Sequence, residues 1–118
     1  MKLTDKCKED FEKWYADTYY HKQRKTIQNL QRLVFDSLPD NQKYGVYVDF
    51  FDSVDIIIDI HPIFNYDMEK YTKISSFIVW VRLLNTIETD EEPPETDTRP
   101  EAREQAIKKA NEIKNKQL

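Results

Sequence analysis

The sequence predicts an α+β fold, and three observations carry that reading. Apolar residues recur at helical spacing through residues 4–38 and again after Thr98. From residue 54 the period changes to two, with Val54, Ile56, Ile58 and Ile60 alternating with Asp55, Ile57, Asp59 and His61. Proline and acid then break the pattern before the last helix, at TIETDEEPPETDT (86–98).

The first helix starts after Thr4, a suitable N-cap, with Asp5 in the first turn where the helix dipole favours an anion. Cys7, Phe11, Trp14, Tyr15 and Tyr19 fall on one face. Ile27, Leu30, Val34 and Leu38 continue the period without an intervening Gly or Pro. One helix of that length is long for a small domain, so a break is expected near residues 17–22. A third helix is expected to start at Ser37, with Pro39 in its first turn. Gly45 inside it costs about 1 kcal/mol relative to Ala, which suggests close approach of another element.

Two strands follow, at about 54–61 and 73–84, joined as an antiparallel hairpin. In the second, Phe77, Val79, Val81 and Leu83 form one face and Ser76, Ile78, Trp80 and Arg82 the other. Pro62 stops the first strand or marks it as an edge. Two strands make a marginal sheet, so a third strand, a helix or another chain is expected to cover Ile57, Ile78 and Trp80. After the acidic linker 86–98, Thr98 and Glu101 stand in capping-box spacing and open a C-terminal amphipathic helix. Its stripe is Ala102, Ala106, Ile107, Ala110 and Ile113.

The 118 residues suit a single domain, 1–118, that contains the acidic linker. Aromatics at 13% argue against disorder. With one Gly, neither a Walker A loop nor a dinucleotide fingerprint can be written. One cysteine permits no internal disulfide and no cysteine-based zinc site, which fits a reducing compartment. MKLTDKCKED lacks the apolar region of a secretory signal, and the apolar run 77–81 is too short to cross a bilayer. The expectation is a cytoplasmic protein that is not an enzyme and needs no cofactor. Charge is divided: residues 1–38 carry +2, 39–98 carry −9 and 99–118 carry +3. The acidic middle either complements the basic ends or faces a basic partner.

Leu38-Pro39 followed by QKYGVYVDFFDS (42–53), and the ending TRPEAREQAIKKANEI (98–113), resemble small uncharacterised proteins encoded by phages and prophages of Bacteroidetes-type bacteria. The resemblance, limited to residues 38–53 and 98–113, implies a bacterial host cell but no activity, cofactor or catalytic residue. The chain departs from that pattern at Asp55, where the resemblance leads one to expect Gly, and in a longer N-terminal helical region.

Three sets of residues compete as sites. The first is an interaction surface of Ile57, Ile78 and Trp80, joined by Glu91 and Glu92 of the acidic tract. An apolar patch rich in Trp suits an interface, and the plainer reading is that a further element of the chain covers it. It implies an unidentified protein partner or a homodimer. The second is a single-stranded nucleic-acid site of Tyr19, Tyr20, Lys22, Arg24 and Lys25, where rings would stack on bases and cations meet phosphate. A solvated turn explains that run as well, and the acidic chain makes nucleic acid the weaker expectation. The third is a metal-dependent hydrolase built on Asp49, Asp52, Asp59 and His61. The plainer reading puts these on solvent faces, because no recognised ligand spacing is present. Cys7 with His21 or His61 could form a nucleophile and base. Its place on the apolar face favours a buried structural thiol instead.

Overall fold

The computed structural model describes residues 1–19, 24–66, 72–84 and 93–117. Along the chain run α1 (Asp5–Tyr19), α2 (Lys25–Asp36), α3 (Asp40–Ser53), β1 (Ile56–Tyr66), β2 (Thr72–Leu83), β3 (Glu95–Thr96) and α4 (Arg99–Lys116). This is the expected α+β architecture, with helices at both ends and an antiparallel hairpin between them.

The hairpin pairs Ile56 with Leu83, Ile58 with Val81 and Ile60 with Val79. These residues therefore share one face, and α3 and α4 pack on it. Ile56 and Val79 are fully buried there, with Val81 and Phe77 nearly so. The stripe on α4 is built as the sequence predicts. Ala102, Ala106 and Ala110 have no exposed surface, and their small side chains let the helix axis come close to the sheet. The Thr98 hydroxyl caps that helix by accepting the Glu101 N–H at 3.3 Å.

Phe11 is the centre of an aromatic cluster on the helical side. Its ring lies 5.0 Å from Tyr47 and 5.4 Å from Phe50, both edge-on, and 5.3 Å from Phe35. Trp14 and Tyr15 complete the group at 6.0 and 5.8 Å. The start of α1 is tied to α4 by amide side chains. Asn111 Oδ1 accepts the Thr4 N–H at 2.9 Å, and Asn115 Oδ1 accepts the Cys7 N–H at 2.7 Å. These are donors that the first turn of a helix leaves without intrahelical partners. The Thr4 hydroxyl accepts from both amides, at 2.9 and 3.2 Å. Lys114 adds an ion pair to Asp10 at 3.0 Å, and that hydrogen bond holds the Asp10 carboxyl below its ordinary range.

Several boundaries differ from expectation. β1 continues through Pro62 to Tyr66 rather than stopping at residue 61. Pro62 is tolerated because β1 is the outer strand of the order β1-β2-β3 and leaves one side without a ladder. Ser37 does not open α3. Its hydroxyl bonds back to the Val34 carbonyl at 2.7 Å and closes α2, while Pro39 takes the N-cap position of α3. The acidic linker is not wholly irregular either, because its end contains β3. Thr96 and Glu95 pair with Phe77 and Ile78, and the Pro94 carbonyl accepts the Val79 N–H at 3.0 Å. α1 ends at Tyr19 and α2 begins at Lys25, so the expected break falls partly on residues 20–23, outside the described residues.

Two backbone positions carry specific information. Asp55, in the turn into β1, has φ of 64°, in the left-handed region that glycine enters most easily. A Gly expectation at that position therefore has a physical basis, which Asp meets at some cost. Gly45 is the reverse case. No atom lies within 4 Å of where a Cβ would stand, so close approach does not explain it. Gly45→Ala is expected to stabilise the chain by about 0.5–1 kcal/mol, because it removes only the entropic cost of an exposed helical glycine. Urea unfolding checks this, and an unchanged or lowered midpoint would count against an unstrained helix there.

Candidate interaction face

The hairpin has a second face, set by strand alternation alone. Residues paired across antiparallel strands point the same way. Ile57 pairs with Arg82, Asp59 with Trp80, His61 with Ile78, and Ile63 with Ser76. The structure therefore brings Ile57, Ile78 and Trp80 onto one surface, opposite the face that α3 and α4 cover. All three are half-buried by their neighbours in the sheet, and Ile63 extends the row.

Among the described residues, the third strand borders this face without covering it. β3 adds Glu95 beside Ile78. The Ser76 hydroxyl, buried at the foot of β2, donates to Glu95 Oε1 at 2.6 Å. The Arg82 guanidinium lies 4.8 Å over the Trp80 ring, a cation–π contact that flattens Arg82 along the surface. Asp59 and His61 sit beside the row, with Oδ2 and Nε2 3.8 Å apart and both side chains mostly in water. The result is an apolar strip bordered by both signs of charge, the general layout of a protein interface. Glu91 and Glu92, expected to extend it, lie outside the described residues.

The four residues of the metal reading do not come together. Asp49 and Asp52 are exposed on α3, while Asp59 and His61 lie on the outer face of the sheet. Burial, and then the neighbouring Asp49, pushes the Asp52 carboxyl up. Among the described residues no group of three or more His, Cys, Asp or Glu is placed to hold a metal ion. Tyr19, Arg24 and Lys25 are exposed, but Tyr20 and Lys22 lie outside the described residues. Tyr19 packs its ring against Tyr15 at 5.0 Å and Trp14 at 6.0 Å.

Cys7 is fully buried in the core, whereas His61 faces water on the outer side of the sheet, and His21 lies outside the described residues. Desolvation pushes the Cys7 thiol up to about 12, which keeps it neutral and a poor nucleophile. The Tyr47 phenol is pushed up to about 12 by the same cause. Both groups therefore hold their protons more tightly folded than unfolded. That stability is fully present below pH 9, the ordinary thiol range, and is lost as pH rises toward 12. Urea midpoints should fall across this window, and the slope should be shallower in Tyr47→Phe. Equal slopes in the two proteins would contradict the burial of the phenol.

Sequence reasoning missed two features. Asn111 and Asn115 continue the α4 face from Ile107 at i, i+4 spacing, which was the available signal for a polar contact at the end of that stripe. The second is the setting of the period Ile27, Leu30, Val34 and Leu38: Leu38 packs against the core, but Leu30 and Val34 are more than half exposed. No helix among the described residues is long and apolar enough to cross a membrane. Comparison with protein-family models, curated proteins and solved structures gives no match to this chain.

Proposed function

We propose that the chain is a non-enzymatic protein-interaction module, an accessory factor encoded by a phage or prophage and at work in the cytoplasm of the bacterial host. It binds a basic protein through the outer face of the hairpin. The single observation that carries this reading is the row Ile57, Ile78 and Trp80, which lies on a sheet face that no described element covers. A partly buried Trp in an apolar strip is the typical anchor of an interface. The charge of −9 over residues 39–98 supports a basic partner. The resemblance of residues 38–53 and 98–113 to phage and prophage proteins supports the accessory role.

The test is affinity capture from host lysate with the immobilised full chain, run beside Trp80→Ala and Ile57→Ala. Both substitutions fall on the face away from the helical core, so folding should persist by circular dichroism. The expected result is one basic protein retained by the wild type, released by raised salt, and bound about tenfold more weakly by each variant. Equal retention by the wild type and both folded variants would remove this face from the function.

A further inference from the structure

We propose that the partner adds a strand to the sheet: an extended, basic segment of it pairs antiparallel along the free edge of β1, at Ile58, Ile60 and Pro62. This deepens the interaction reading and rests on it. The ladder fixes which backbone groups face that edge. The Leu84 N–H donates to the Asp55 carbonyl at 2.8 Å, whereas the Val79 N–H turns the other way, to the Pro94 carbonyl at 3.0 Å. Bonded and unbonded pairs alternate along an antiparallel ladder. Ile57, Asp59 and His61 therefore direct their backbone groups to β2, while Ile58 and Ile60, opposite Val81 and Val79, turn theirs outward. Among the described residues no backbone N–H or C=O bonds to those outward groups.

The two edges of the sheet are built differently. β3 is two residues long, carries Glu95 and lies beside α4. Short, charged or covered edges are the usual protection against stray pairing. β1 runs for 11 residues, contains Ile56, Ile57, Ile58, Ile60 and Ile63, holds no Lys or Arg, and has Asp59 as its only carboxylate. Its composition is that of a strand meant to be paired. The free stretch is bounded at both ends. Ile56 is fully buried, and Pro62 has a carbonyl but no N–H. Between these limits Ile58 and Ile60 each offer a donor and an acceptor, and Pro62 an acceptor, which is room for a segment of about five residues.

An extended backbone matches that repeat of donor and acceptor, and strand addition to an open edge is a general mode of peptide recognition. The antiparallel sense continues that of the sheet and is the more stable per residue. Side chains of the added strand alternate between the two faces. On the outer face one comes beside Asp59, which is 65% exposed and, among the described residues, reaches only His61, at 3.8 Å. A Lys or Arg at that position meets the Asp59 carboxylate, and Asp55 lies exposed at the end of the same row. On the inner face the added side chains extend the row of Ile58 and Ile60, both partly exposed. The segment therefore alternates basic and apolar residues, in keeping with the charge of −9 over residues 39–98.

Amide hydrogen exchange on the full chain tests this, with an end-capped peptide of alternating Lys and Val as the probe. In the free chain the Asp59 and His61 amides should be protected, and those of Ile58 and Ile60 should exchange at least about tenfold faster. Excess peptide should slow Ile58 and Ile60 by at least about tenfold. N-methylation of the peptide at its Val residues, whose N–H groups face β1, should abolish that protection, and N-methylation at its Lys residues, which face away, should leave it. Asp59→Lys, at an exposed side chain, should weaken the peptide about threefold. Absence of peptide binding, or equal effects of the two methylations, would overturn the strand addition. So would a peptide that is released by Trp80→Ala yet never protects Ile58 and Ile60, a result that leaves the outer-face reading standing. That reading fails separately, when the partner captured from lysate is held equally by Trp80→Ala and Ile57→Ala.

Discussion

Replacing Phe11 with Ala should cost about 3–5 kcal/mol of folding stability, the usual range for removing a buried phenylalanine. The ring has 5% of its surface exposed and packs directly on Phe35, Tyr47 and Phe50. It joins three helices at once, since those partners lie on α2 and α3. Their side chains cannot collapse into the hole without moving the helices apart. Small domains are stable by only about 5–15 kcal/mol, so this one change removes a large part of the total. Denaturant unfolding measures it directly. Leu33→Ala is the matched control: its side chain is 60% exposed, and the change should stay within about 0.5 kcal/mol. A Phe11→Ala cost below 1 kcal/mol would contradict an aromatic core centred on this residue.

Asn111→Ala should cost about 2–3 kcal/mol, because it strands polar groups rather than only losing contacts. The side chain is 8% exposed, accepts from the Thr4 N–H and donates to the Thr4 hydroxyl, both at 2.9 Å. Without it the Thr4 N–H, at the head of α1, has lost its acceptor, and α4 has lost a direct tie to that turn. Thr4→Val removes the hydroxyl side of the same network. A double-mutant cycle between the two should return a coupling of about 1 kcal/mol or more. Additive effects would mean that the amide stabilises α4 without capping α1.

Legibility in the sequence followed the range of the forces involved. The closing helix was readable because its cap, its proline and its alanine stripe are all local, with Thr98 and Glu101 three residues apart. The strands were readable by their period of two, but their ends were not. How far β1 runs past Pro62 depends on pairing with β2, for instance Phe64 against Ile74. Two-residue β3 was hidden by composition, because an acidic, proline-bearing tract gives no strand signal and its pairing to Phe77 and Ile78 is long-range. The Thr4–Asn111 contact joins residues 107 apart, and no pattern within either helix specifies the other.

The candidate face divides along the same line. Alternation alone placed Ile57, Ile78 and Trp80 together, since it fixes which residues share a side of a sheet. The unbroken apolar row Phe77, Val79, Val81 and Leu83 also marked the side the helices cover, whereas in α2 the period alone did not give the inward direction. Ile27, Leu30 and Val34 do share a helical face, but the inward direction was set by Phe35 meeting Phe11, Tyr15 and Tyr47. The metal reading failed on similar grounds. Asp49 and Asp52 are close along α3, but Asp59 and His61 project from the far side of the sheet.

The most direct test of the proposed function is photo-crosslinking in host cells from a benzophenone side chain placed at Trp80, with a second probe at exposed Lys108 on α4 as reference. The outer-face account predicts a discrete adduct to one basic host or phage protein from position 80, absent from position 108 and lost when Ile57→Ala is added. No adduct from position 80, an adduct of twice the chain's own mass, or the same adduct from both positions would contradict it.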